Sequence, residues 1–165
     1  MKVNLAELKN NAKRQRKFHQ KIISQLEKSK PAITDNLFAE AHAEAFDKID
    51  CLQCANCCQT TSPIVTDRDI SRIATHLRIK QGELVSRYLK IDEDGDYVMQ
   101  QAPCPFLQPD NYCQIYEVRP RACSTFPHTD RKPMQPVLHL TLKNTPICPA
   151  VFYILEKIGR SINPL

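Results

Sequence analysis

The sequence predicts an α+β fold, mainly α, in which an N-terminal helical hairpin precedes a small, cysteine-rich, metal-organised domain of short helices and a β-hairpin. Three observations carry this. Residues 3–29 repeat apolar positions at helical spacing, all eight cysteines lie between residues 51 and 148, and nine of the twelve prolines lie between 103 and 149. Helical periodicity marks the amphipathic segments. A proline-rich stretch needs turns and cross-links to fix its backbone, because regular ladders cannot run through it.

The first helix carries Leu5, Leu8, Ala12, Gln15, His19, Ile22 and Leu26 at steps of three and four, with Phe18 and Ile23 beside the stripe. His19 reads as a member of that stripe and not as a ligand. The opposite face is basic. Residues 1–30 hold nine Lys or Arg against Glu7 and Glu27, a local charge of +7, which leaves −2 on the other 135 residues. Such a face is a solvated helix surface, or one that meets a protein partner or a second copy of the chain through residues 1–49. Nucleic acid ranks below these, since no aromatic or glycine pattern interleaves the charges.

Pro31 interrupts the helix, and Thr34 or Asp35 is expected to cap a second one through Leu37, Phe38, Ala41, Ala45, Phe46 and Ile49. His42 lies beside its apolar stripe as a packed histidine. The domains expected are 1–49, the basic helical hairpin, and 50–165, the cysteine-cluster domain. After the first cysteines, Pro63, Ile64 and Val65 form an extended piece. Thr66 and Asp69 make a capping box for the helix DRDISRIATHL, and QGELVSRYL follows as another helix. IDEDGDYVMQ reads as a hairpin turning at Asp94 and Gly95. Its acidic run does not match an EF-hand loop, so it is a solvated turn. The last segment, CPAVFYILEKIG, is a helix with Pro149 in its first turn, which sets Cys148 at a helix N-terminus where the dipole favours thiolate.

The chemistry lies in the cysteines. Their spacing is CxxCxxCC over Cys51, Cys54, Cys57 and Cys58, followed by Cys104, Cys113, Cys123 and Cys148. Eight thiols suit either four disulfides or thiolate-bound metal. The N-terminus shows neither the apolar core nor the small-residue cleavage site of a secretory signal, so a reducing, cytoplasmic setting and metal binding are expected. Soft sulfur donors select zinc, iron or an iron–sulfur cluster over magnesium or calcium. Cys57 and Cys58, if extended, would face opposite sides and not both complete the same tetrahedron, leaving one for a second metal or for none. Arg119 and Arg121 lie between Cys113 and Cys123, where guanidinium groups can balance thiolate charge, and His128 is a reserve ligand. No apolar run is long enough to span a bilayer. Only three glycines occur and none builds a nucleotide loop, and no catalytic triad or carboxylate pair is legible, so a binding role precedes an enzymatic one.

The strings CLQCANCC, PCPFL, YCQIYEVRPRAC and FP together resemble the CxxCxxCC cysteine-cluster family, also called YkgJ-like, over roughly residues 50–150. The resemblance implies chelation of zinc or iron by Cys51, Cys54, Cys57, Cys58, Cys104, Cys113 and Cys123, with Cys148 matching a late Cys-Pro. Two positions depart from its pattern. Asn56 stands where glycine is common and is expected to supply a left-handed turn, and Ser124 replaces a common arginine. Flagellin lysine methylases look similar in carrying the motif, which implies an alternative role as an iron–sulfur redox or protein-modifying enzyme component. A metal-stabilised interaction adaptor is a third reading.

Overall fold

The structure, a computed structural model, describes residues 4–163. In chain order it contains α1 (Leu5–Glu27), α2 (Pro31–Lys48), α3 (Cys51–Cys54), α4 (Asn56–Thr60), α5 (Asp67–Leu77), α6 (Gln81–Tyr88), β1 (Leu89–Ile91), β2 (Tyr97–Met99), α7 (Arg121–Ser124), α8 (Leu138–Asn144) and α9 (Pro149–Ile162). Helix predominates, and β1 and β2 form the sheet. These elements make two compact units. The first comprises residues up to Cys54 and from Pro127 onward; the second runs from Ala55 to Phe126. These boundaries differ from the expected 1–49 and 50–165, because the end of the chain returns to the N-terminal helices.

In the first unit, Asn4 caps α1 by accepting backbone N–H bonds from Ala6 and Glu7. Helix α2 starts at Pro31 itself, whose missing N–H costs nothing in a first turn. The expected caps serve elsewhere: Thr34 Oγ1 donates to the Leu26 carbonyl (3.2 Å), and the Asp35 carboxylate accepts from Met134 N–H (2.8 Å). The two helices pack chiefly on α9, where an ordinary hairpin would pair them with each other. α9 presents the buried residues Val151, Ile154, Leu155 and Ile158, while α1 contributes Ile22 and Leu26 and α2 contributes Phe38, Ala41 and Ala45. Gly159 allows the close approach of α1: a Cβ there would lie 2.6 Å from Ile22 Cδ1 and 2.7 Å from Phe18 Cζ. His19 is fully buried, with Nε2 2.9 Å from a Glu156 carboxylate oxygen and its ring edge-on to Phe152. His42 Nδ1 meets Thr129 Oγ1 at 2.9 Å.

In the second unit, the Thr66–Asp69 capping box opens α5 as its sequence requires. β1 and β2 pair antiparallel with Leu89 opposite Met99, Lys90 opposite Val98 and Ile91 opposite Tyr97. The turn closes on Asp92, whose Oδ1 accepts N–H bonds from Asp94 and Asp96, and Gly95 takes φ +85°. Ile64 adds a bridge to Val98 on the outer edge. Val65, Ile70, Ile73, Leu84, Met99, Phe106 and Ile115 form the core, and the side chains of Cys104 and Cys113 pack against it. In the first unit, α8 lies within the proline-rich stretch, where no helix was expected: the 3₁₀ turn Gln135–Val137 leads directly into it. Among the described residues no helix is long and apolar enough to cross a membrane.

Candidate metal centre

No disulfide links any of the eight cysteines, all of which are described. Their distribution follows the two units. Cys51, Cys54 and Cys148 belong to the first; Cys57, Cys58, Cys104, Cys113 and Cys123 belong to the second. The chain crosses from one to the other at Ala55, which has φ +45° and ψ 14°. A left-handed alanine costs on the order of 1 kcal/mol. It is needed because α3 stops at Cys54 and α4 starts at Asn56, leaving one residue to turn the chain, as a residue just past a helix end often does. The left-handed position expected at Asn56 therefore falls one residue earlier. Asn56 is buried in the first turn of α4, where its carbonyl accepts from Thr60 Oγ1 (2.7 Å).

Cys57 and Cys58 are thus helical, not extended. Successive side chains on a helix diverge by about 100°, and the two sulfurs lie 4.0 Å apart. Two thiolates on one tetrahedral zinc, each about 2.3 Å from the ion, would be about 3.8 Å apart. The vicinal pair can therefore share a centre, contrary to the extended-chain expectation.

Short backbone links hold the other cysteines of this unit. Cys104 N–H donates to the Cys58 carbonyl at 2.8 Å, which ties the PCPFL segment to α4. Leu107 bridges Cys113, and Leu107 N–H donates to the Cys104 carbonyl (3.0 Å), so the chain between the two cysteines doubles back. Cys123 sits in α7, started by Pro120, with its N–H on the Pro120 carbonyl (2.9 Å). Asp69 anchors this turn by accepting from Arg121 N–H (3.1 Å) while it also pairs with Arg72 (2.6 Å).

The thiols sense one another. The Cys57 thiol, hydrogen-bonded to Cys58, brings the Cys58 pKa down to about 7 against the opposing effect of burial. Burial raises Cys104, and the charges of Cys113 and Cys58 add to the rise, while the Phe106 and Leu107 N–H groups oppose it. Cys113 is raised by burial and by Cys58, with the Ile115 N–H and Arg119 opposing. Cys123 is pushed up to about 12, first by burial and then by the charges of Cys58, Cys104 and Cys113. Arg119 lowers both Cys113 and Cys123 from a fixed position: its Nη1 donates to the Tyr116 carbonyl (2.6 Å) and its guanidinium carbon lies 3.9 Å from the Tyr116 ring centre. Arg121 contributes its backbone N–H to Asp69 instead.

In the first unit, Cys51 and Cys54 are one turn apart on α3, whose start is capped by Asp50 accepting from Leu52 N–H (2.9 Å). Cys148 caps α9 as expected, yet its pKa is raised to about 11. Burial is the main cause. The Val151 and Ala150 N–H groups oppose it, and the charges of Cys51 and Cys54 add to the rise. The helix terminus is present, but at 8% exposure desolvation outweighs it. His128 belongs to this unit as well, in a left-handed conformation (φ +66°).

A cation-binding fit rests on this donor chemistry: clustered, partly buried thiols whose charges oppose one another gain most from a cation among them. Among the described residues no three Cys, His, Asp or Glu side chains already stand as a closed metal-holding group.

Comparison with known proteins agrees with this chemistry. A family model named CxxCxxCC and described as "Putative zinc- or iron-chelating domain" matches residues 50–149. An uncharacterized protein of Methanocaldococcus jannaschii is 33% identical over 82 residues, a stretch that covers 48% of this chain and 44% of the relative. The matched part is thus less than half of that relative. No solved structure matches the chain.

Proposed function

The chain belongs to the CxxCxxCC family, and on that premise we propose that it is a cytoplasmic metal-binding protein holding zinc or an iron–sulfur centre through thiolates, with Cys58, Cys104, Cys113 and Cys123 as the principal ligands. One observation carries the reading. Four cysteines from separate stretches of chain lie in one unit, where Cys58 perturbs each of the other three. Left in water-poor surroundings such a group resists ionisation, and a thiophilic cation removes the opposition. Cys57 supports Cys58 by its hydrogen bond and stands outside the four as a positioning residue. A bound zinc would supply a structural cross-link between these segments, and an iron–sulfur centre would add an electron-transfer couple.

The test is metal and sulfide analysis with a visible spectrum on protein purified without oxygen. Zinc without colour supports a structural or metal-handling role. Iron with acid-labile sulfide and a broad visible band supports the redox role. Protein that holds neither metal, and takes up neither when supplied with them, defeats the proposal.

An adaptor role has its own observation: Lys9, Lys13, Arg16, Lys17 and Lys21 lie exposed along α1. Deleting residues 1–49 would not test it, because α9 would lose two packing partners. Reversing Lys13, Lys17 and Lys21 to glutamate leaves the buried stripe in place. Loss of a co-purifying protein with metal content unchanged would favour the adaptor; an unchanged set of associated proteins would count against it.

A further inference from the structure

We propose that a groove along α5, lined by Arg68, Arg72 and His76, binds a small molecule bearing two or more phosphoryl groups.

The groove lies within the second unit and has a volume of about 650 Å³, inside the range of about 300–1,000 Å³ usual for small-ligand sites. Arg68, Ser71, Arg72, Thr75 and His76 of α5 form one wall, and Val118, at the end of the 3₁₀ turn Tyr116–Val118, forms the other. Arg68, Arg72 and His76 recur at four-residue steps. By the rise of the helix they stand in a row about 6 Å apart and about 12 Å from first to last.

These side chains are differently prepared. Arg72 is fixed: its Nη2 donates to the Asp69 carboxylate (2.6 Å) and to the Arg119 carbonyl (2.9 Å), which leaves its Nε and Nη1 hydrogens to donate elsewhere. Arg68 and His76 are exposed, and among the described residues neither side chain takes part in an ion pair or a hydrogen bond. The Ser71 hydroxyl, between the two arginines, is a further uncommitted donor, whereas Thr75 Oγ1 already donates to the Ser71 carbonyl (2.9 Å). Like charges one turn apart weaken a helix. An anion held between Arg68 and Arg72 removes that repulsion.

The lining selects the ligand. It contains guanidinium, imidazole and hydroxyl groups and no carboxylate. Guanidinium forks fit carboxylate and phosphate alike, but a phosphoryl group brings up to two negative charges where a carboxylate brings one. The row is also longer than one phosphoryl group can occupy. Asp67 and Glu117, both exposed, adjoin Arg68 and Val118 in sequence, so the basic field is local. A nucleic-acid backbone running past it would meet those carboxylates, which favours a small ligand. The groove adjoins the proposed metal centre, because Val118 lies between Cys113 and Cys123, yet hydrogen bonds to Arg72 and Asp69 hold that wall (2.9 Å from Arg72 to the Arg119 carbonyl, 3.1 Å from Arg121 N–H to Asp69). Anion binding and metal content are therefore separate readouts.

The experiment is calorimetric titration of the full chain, as purified, with pyrophosphate, and with metal content measured before and after. Wild type is expected to bind one pyrophosphate at least about tenfold more tightly than inorganic phosphate. Arg68→Gln should weaken pyrophosphate about tenfold and Arg68→Gln/His76→Gln about a hundredfold, the cost of one and two lost charge-assisted hydrogen bonds. Reversing Lys13, Lys17 and Lys21 of α1 to glutamate should leave the affinity unchanged. No binding by about 10 mM pyrophosphate overturns the site. So does equal affinity in wild type and the double variant, which is also what mere withdrawal of metal by pyrophosphate would give, and so does equal weakening by the α1 reversal, which would trace the affinity to net charge. Tighter binding of succinate or of a single-stranded oligonucleotide than of pyrophosphate overturns the ligand class. None of these results alters the chelation reading, which stands or falls on the metal content.

Discussion

Loading the four-thiol set with zinc releases about three and a half protons per ion at pH 7. At that pH Cys58, whose pKa is near 7, is half ionised and yields about half a proton when it becomes a ligand. Cys104, Cys113 and Cys123 are all raised above the ordinary thiol value, Cys123 to about 12, so each enters protonated and yields about one. The sign is that affinity grows with pH. Between about pH 7.5 and 8.5, where Cys58 is mostly ionised and three thiols remain to be deprotonated, binding strengthens roughly a thousandfold per unit. Below about pH 6.5 the slope approaches four protons. The assay is calorimetry of zinc binding to the metal-stripped chain in two buffers of different ionisation enthalpy. The difference in heat gives the proton count per ion bound. A release of one proton or none would mean that Cys104, Cys113 and Cys123 do not enter the coordination shell, and the ligand assignment would be wrong.

Four further outcomes follow from specific contacts. Cys58→Ser should lose the metal of the second unit while Cys57→Ser, whose hydroxyl can still donate, should retain it; equal losses of metal content would place both sulfurs on the ion. Asp69→Ala should destabilise the fold by about 2 kcal/mol, because a buried carboxylate that accepts from Thr66, Arg72 and Arg121 is removed and their donors are stranded; urea melts are the measure. Gly159→Ala pits a helix-propensity gain of about 1 kcal/mol against overpacking on Ile22 and Phe18 of about 1–3 kcal/mol. A lower melting temperature is expected, and a higher one would show that α1 yields easily. His19, whose pKa is lowered by burial despite the raising effect of Glu156, is held neutral in the fold. Its unfolded form takes up a proton near pH 6.5, so its share of stability is complete above that pH and declines as the pH falls below it; the melting temperature of His19→Leu should therefore fall less between pH 7 and 5.5 than that of the wild type.

Local chemistry was legible in the sequence wherever a few neighbouring residues decide the outcome. Thr66 and Asp69 cap α5, Asp94 and Gly95 turn the hairpin, and Pro149 starts α9 behind Cys148, because each of these features closes its hydrogen bonds within a few residues. α8 was missed for the opposite reason. Leu138–Asn144 follows a proline-dense run, and its buried side chains, Leu138 and Thr141, belong to the first unit's interior, which no local pattern announces. The packing of α1 and α2 on α9 is likewise a long-range fact, set by apolar faces more than a hundred residues apart.

The division of the cysteines was hidden by a single alanine. Within CxxCxxCC the residue type that signals a left-handed turn is Asn56, and the sequence places the turn there. Here that conformation falls on Ala55, which carries no such signal, and Asn56, which carries one, is helical. The strain at Ala55 is informative for that reason. An alanine that costs about 1 kcal/mol in this conformation must be held there by its surroundings. On one side α3 ends at Cys54; on the other Asn56 is buried and α4 is tied through Cys58 to Cys104. The thiols at the two ends of the motif are therefore fixed by different sets of contacts. Cys104 and Cys113 are further held against the second unit's apolar core, and Cys148 is held by the first turn of α9. Packing thus sets where each backbone stands before any cation arrives. What is left to the cation is the last step, turning side chains whose charges repel one another into a common shell. That step is the one burial opposes, since it asks poorly hydrated thiols to ionise, and cation and thiolate charge must therefore arrive together.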